Sequence, residues 1–85
     1  MTTKINIIED ERNTNHNLET VDRCTIELPC GKYRIMRWVK NGHIFSVEVE
    51  RKRKNGKIVW GALCSHAHRH RFGLAAHFAT TEVWA

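Results

Sequence analysis

The chain has 85 residues, 41% hydrophobic and 27% charged, with 14 Lys plus Arg against 9 Asp plus Glu and a formal net charge of +5. That is the composition of one small globular domain, and it excludes a multidomain machine, a large enzyme core and a fibrous chain. No stretch approaches the roughly 18 apolar residues of a spanning helix, so no membrane partner is expected.

The charge is uneven along the chain. Residues 1–22 carry 2 bases, Lys4 and Arg12, against 5 acids, a net of −3, whereas residues 23–85 carry 12 bases against 4 acids, a net of +8. The expected division is therefore an acidic, mostly flexible N-terminal segment (1–22) and a single small basic α+β domain (23–85). Within the front, Lys4 to Ile8 is a short strand candidate, and the polar run from Glu9 to Thr20 has no period and reads as a mobile linker. The first residues lack a basic stretch followed by a long apolar run, and the three cysteines are odd in number. Both features lead to the expectation of a cytoplasmic protein with free thiols.

The body reads as an antiparallel β-meander of three to four strands, about 25–28, 32–40, 43–53 and 57–64, followed by one helix at about 68–79 packed on one face. Asn41-Gly42 and Asn55-Gly56 separate the longer strands and signal two-residue type I′ turns. Such turns pair Met36 with Val47 and Val49 with Ala62. One face then collects Met36, Trp38, Phe45, Val47, Val49, Ile58, Trp60, Ala62 and Cys64 as the core. The other face carries Tyr33, Ile35, Arg37, Val39, Ile44, Glu48 and Glu50. The C-terminal helix is expected to place Leu74, Ala75 and Phe78 on one face. Thr80 to Ala85 is expected to return as an edge strand with Val83 and Trp84 docking.

Three groups of residues are candidate sites. Tyr33, Ile35, Arg37, Val39 and Ile44 form an apolar face with a Tyr and an Arg, the residue types enriched at binding hot spots, and are assigned to partner binding. Arg51, Lys52, Arg53, Lys54 and Lys57 surround the second hairpin tip, and Arg69 and Arg71 follow in a His-rich run. These seven are assigned to a nucleic acid or an acidic surface, since a basic two-stranded ribbon fits a major groove. Cys64, His66, His68 and His70 alternate and would point one way on an extended chain, with His68 opposite His43. Thiolate and imidazole suit zinc, yet the spacing departs from that of structural zinc sites, and no metal or other cofactor is assigned. A positioned Cys–His pair, paired carboxylates in a cleft and a glycine-rich phosphate loop are all missing from the pattern, so no enzyme activity is expected.

Three antiparallel strands followed by a helix, from Lys32 to Ala79, resemble the plant ethylene-response-factor DNA-binding domain and the arm-binding domains of phage integrases. Those families read DNA with the exposed sheet face, which is what the resemblance implies for this chain. Against that role, Glu48 and Glu50 lie mid-strand, and the accompanying aliphatic residues suit a protein. In being short and free of catalytic motifs, the chain also resembles small inhibitors from phages and mobile elements, including anti-CRISPR proteins and inhibitors of host polymerases or nucleases. The leading expectation is a non-enzymatic protein that acts by stoichiometric association with a protein or nucleoprotein partner. Direct DNA or RNA binding through the basic tip and the His/Arg patch is the alternative, and a zinc-stabilised domain is the third. A homodimer is compatible with each.

Overall fold

A computed structural model describes residues 5–85. Five strands, β1 (Asn6–His16), β2 (Glu19–Leu28), β3 (Gly31–Trp38), β4 (Ile44–Lys52) and β5 (Ile58–Ala62), are followed by helix α1 (Arg69–Phe78) and a wider helical turn, Ala79–Val83. The strands form one antiparallel sheet in the order β1-β2-β3-β4-β5. The α+β meander with a C-terminal helix on one face is thus the observed fold, with one strand more than the sequence indicates.

The additional strand comes from the front of the chain. Residues 6–16, most of which read as linker, pair with β2. Asn17 and Leu18 join the two strands with φ of 49° and 68°, the left-handed pair that a type I′ turn requires. The register breaks twice in β1, between Ile7 and Glu9 and between Glu11 and Thr14. At the second break Asn13 has φ of 55°, and its N–H donates to Asp22 Oδ1 at 3.0 Å. Two such bulges erase any simple alternation, which is why the segment carries no strand period. Lys4, the expected start of the first short strand, lies outside the described residues.

The core consists of Cys24, Ile26 and Leu28 on β2, Tyr33 and Ile35 on β3, Val47 and Val49 on β4, and Leu63 after β5, all covered by Ala75, Ala79 and Trp84. Tyr33 opposes Val49 and Ile35 opposes Val47, so these four share the helix-facing side. This corrects the expected faces. Tyr33 and Ile35 are 0% exposed, whereas Met36, Trp38, Trp60 and Ala62 occupy the opposite side.

The turns, with one bulge in β4, explain the inversion. Neither Asn41 nor Asn55 takes positive φ; only Gly42 (73°) and Gly56 (85°) do. Each Asn side chain instead accepts from the N–H two residues on, His43 at 2.8 Å and Lys57 at 3.0 Å. The second turn closes with Gly56 N–H to Arg53 O and Arg53 N–H to Lys57 O, a three-residue loop ending in a left-handed glycine. The first closes with Trp38 N–H to His43 O around a four-residue loop. The second loop moves the pairing by one residue from the type I′ register; the first moves it by two and a bulge at Phe45 takes one back, so β3 and β4 also end one residue out, and a one-residue slip exchanges the two faces of a strand.

The helix packs Phe72, Ala75 and Ala79, at spacings of three and four, toward the sheet. It runs on rather than turning back as an edge strand. The hydroxyls of Thr80 and Thr81 bond the carbonyls of Ala76 and His77, one turn earlier, which continues helical geometry. Trp84 still docks, under the Arg37 guanidinium at 4.4 Å from its ring. Arg37 also donates to Asp22 Oδ2 at 3.0 Å, and Arg12 donates to Val83 O at 2.9 Å. The C-terminal turn is thereby clasped to β1, β2 and β3.

Candidate interaction surface

Among the described residues, no element covers the side of the sheet away from α1. Cross-strand pairs define it: Arg23 with Met36, Val21 with Trp38, Arg34 with Glu48, Met36 with Ser46, and Glu50 with Trp60. The break in register between Met36 and Arg37 leaves Phe45 as the extra residue of β4. Ile44 then turns to the core side, and Phe45 turns to the open side, where it stacks on Trp38 with centroids 3.8 Å apart and planes 14° from parallel. His16 leans on this pair, 5.7 Å from Phe45 and 6.5 Å from Trp38. Lys40 Nζ stands 5.5 Å from the Trp38 centroid.

A second aromatic position lies across the face. Arg34 donates to Glu48 Oε1 at 2.9 Å and stacks its guanidinium 4.6 Å from the Trp60 centroid. Arg34 is thus flat, charged and held in place on an aromatic surface. Glu48 neutralises it, and Glu11 likewise takes both its oxygens to Arg23 Nη2 at 2.9 Å. The open face therefore combines three large aromatic rings, Met36 and paired charges, with no excess of positive charge.

The residues expected to bind a partner lie elsewhere. Tyr33 and Ile35 are core, so the contact role expected of them gives way to packing. Ile44 packs against the core, Arg37 is engaged by Asp22 and Trp84, and Val39 alone of the five is exposed, in the β3–β4 loop. Missed in their place are Arg34, Met36, Trp38, Phe45 and Trp60. The signal was present in β3 as Arg34-Met36-Trp38 at alternate positions, all long amphipathic or aromatic side chains suited to a half-covered surface.

The basic candidates are accessible. Arg51, Lys52, Arg53, Lys54, Lys57 and Arg69 are exposed, and among the described residues none of them pairs with a carboxylate. Arg71 is half-buried and donates from Nε to the Tyr33 hydroxyl at 3.2 Å, so it supports the core edge. The same hydroxyl lies 3.2 Å from Cys30 Sγ. Burial and the Cys30 contact push the Tyr33 phenol upward, against the opposing pull of Arg71.

Residues 65–68 form a turn, closed by His68 N–H to Cys64 O at 2.8 Å, and so the extended alternation of Cys64, His66, His68 and His70 does not arise. His68 does not oppose His43. No group of three or more His, Cys, Asp or Glu gathers as a metal site among the described residues. The turn has one chemical effect: the backbone N–H groups of Ala67 and His66 hold the exposed Cys64 thiol below its usual pKa. Cys24 is the opposite case, with burial pushing its thiol up to about 12. Shallow open depressions occur beside α1, lined by Arg69, His70, Gly73 and Leu74, and at Asn6, Glu27, Leu28 and Pro29. Among the described residues, no helix is long and apolar enough to cross a membrane.

No protein-family model, curated protein or solved structure matches this chain.

Proposed function

We propose that this protein is a non-enzymatic binding module that associates stoichiometrically with a protein partner through the open face of its sheet. The observation that carries this reading is the uncovered Trp38–Phe45 stack beside the Arg34–Trp60 pair. Tryptophan and arginine held rigidly on a flat surface lose little entropy on contact and supply most of the energy where they occur in interfaces. The pairing of Arg34 and Arg23 with glutamates favours a protein over a phosphate backbone, which needs unneutralised charge. Occupying a functional surface without chemistry is how a stoichiometric inhibitor acts, and the phage or mobile-element inhibitor class fits this reading. Affinity capture with wild type, Trp38→Ala/Phe45→Ala, Trp60→Ala and a Lys54→Ala control tests it. Both face variants should lose about tenfold or more of the captured partner, equivalent to about 1.4 kcal/mol. Equal capture by all four proteins would overturn it.

Direct binding of DNA or RNA is a second reading. It rests on the exposed, carboxylate-free cluster at the β4–β5 tip. It requires an affinity that falls steeply with salt, by close to one log–log slope unit for each phosphate contacted. A salt-independent titration with a mixed-sequence oligonucleotide would remove it.

A further inference from the structure

The sheet has two edges, and only one of them is defended. At β1 the register is bulged twice, Glu9, Asp10 and Glu11 line up in sequence, and Arg12 ties the strand to Val83. Bulges, charge and a covering contact are the usual devices that stop an edge from pairing with another chain. The opposite edge, β5, is unbulged and its own residues carry no charge. Ile58-Val59-Trp60-Gly61-Ala62 is uncharged, contains no proline and pairs with β4 in unbroken register.

The hydrogen-bond pattern shows what this edge offers. Arg53 N–H bonds Lys57 O, and Leu63 N–H bonds Val47 O, both at 2.8 Å. In an antiparallel ladder the bonded pairs alternate. Lys57, Val59, Gly61 and Leu63 therefore direct their backbone groups toward β4. Ile58, Trp60 and Ala62 direct theirs outward, and no other described segment bonds them.

Charge selects the guest. From Arg51 to Thr81 the chain contains no acidic residue, and the bases of the hairpin tip stand at the start of β5. Arg51 adds to them from the helix-facing side. A Cβ on Gly61 would sit 3.0 Å from Arg51 Nε and 3.4 Å from its Cζ, so the bare glycine lets the guanidinium lie across β5. A second copy would bring the same basic tip and Arg51, because six of its nine acids lie on β1 and β2 at the far side of the sheet and the two on β4, Glu48 and Glu50, face the open side.

We infer that the outer edge of β5 accepts an extended acidic segment of a partner protein as a sixth strand. The backbone groups of Ile58, Trp60 and Ala62 supply the ladder. The pleat sets the guest's pattern. Its residues on the open face lie beside Ile58 and Trp60 and are apolar. Its alternate residues lie on the side of Arg51 and Arg53 and are Asp or Glu. This site uses main-chain bonding at an edge, so it is separable from the aromatic face.

The probe is a blocked ten-residue peptide alternating Val or Thr with Glu, titrated into the full chain while amide hydrogen exchange is followed by NMR. The amides of Ile58, Trp60 and Ala62 should gain protection of about tenfold or more, and those of β1 should not change. The same peptide N-methylated at alternate residues, and a peptide with Lys for Glu, should both bind at least tenfold more weakly. Ala62→Pro removes an outward N–H and no ladder bond, so it should keep the fold and lose the peptide. Trp38→Ala should keep the peptide. Equal binding of the N-methylated peptide, protection at β1 instead, or no protection would each overturn the inference. So would the same protection produced by a DNA oligonucleotide, or by raising the concentration of the protein alone. The peptide controls use the unaltered chain and decide the matter even if Ala62→Pro fails to fold.

Discussion

Both sides of the sheet carry apolar side chains but use them differently. On the helix side, Ile26, Tyr33, Ile35 and Val47 are sealed from solvent in one core with Ala75 of α1 and Ala79 of the turn that follows, both small side chains. On the open side, Met36, Trp38 and Trp60 stay half-exposed and are braced by cations, with Lys40 over Trp38 and Arg34 over Trp60. Apolar content alone therefore does not distinguish a core from a contact surface. Aliphatic residues with full coverage make one, and aromatic residues partnered by charge make the other.

Adjacent residues of β3 give the most direct way to break this comparison. Ile35→Ala should cost about 2–5 kcal/mol by opening a cavity under the helix. Met36→Ala, one residue away on the open side, should cost no more than about 1 kcal/mol. Urea unfolding of the two variants measures the difference, and equal losses would mean that the faces are misassigned.

Raising the pH above 9 probes the sealed side. Cys24 keeps its proton to about 12 in the folded protein, chiefly because burial disfavours the thiolate, against an ordinary value of 9.0. A raised folded pKa means that this contribution is complete below pH 9 and is lost as pH rises, at up to about 1.4 kcal/mol per pH unit. Tyr33, also raised, acts in the same direction at higher pH. Denaturant midpoints from pH 8 to 10.5 should fall more steeply for wild type than for Cys24→Ala. Parallel slopes would show that Cys24 is not sealed.

The smallest effect concerns the turns that set the faces. Leu18 holds φ of 68° with a fully exposed side chain. Leu18→Gly relieves the left-handed strain, loses no packing and gives back part of the gain through the flexibility of glycine in the unfolded chain. It should raise stability by about 0.5–1 kcal/mol. A lower melting temperature would contradict a type I′ turn at this position.

These turns also mark how far the fold was legible in the sequence. The order of strands, the positions of two hairpins and the terminal helix all follow from period and punctuation. The face assignment depended on loop length and, between β3 and β4, on the Phe45 bulge, and Asn-Gly fixes neither. The dipeptide suits a two-residue I′ turn, but it equally suits a longer loop in which Asn caps with its side chain and Gly alone goes left-handed. Asn41-Gly42 and Asn55-Gly56 both take the second course. The one true I′ pair, Asn17-Leu18, lacks the glycine that would announce it. The candidate surface followed the register: with the faces exchanged, Trp38, Phe45 and Trp60 were placed in the core and Tyr33 and Ile35 outside. The exposed bases of the hairpin tip needed no register, and six of the seven basic candidates are on the surface.

The unbroken meander has a consequence for how the chain reaches this structure. Each strand pairs with its neighbour in sequence, so the sheet can grow hairpin by hairpin with only short loops to close. Low contact order of this kind goes with rapid folding. The exceptions are the contacts of the C-terminal helix and turn with the sheet, such as Arg71 with Tyr33 and the clasp of Arg12 onto Val83, which spans 71 residues. The topology allows the helix and the final tryptophan to lock onto a sheet that is already assembled, so that sealing the core would be the closing step.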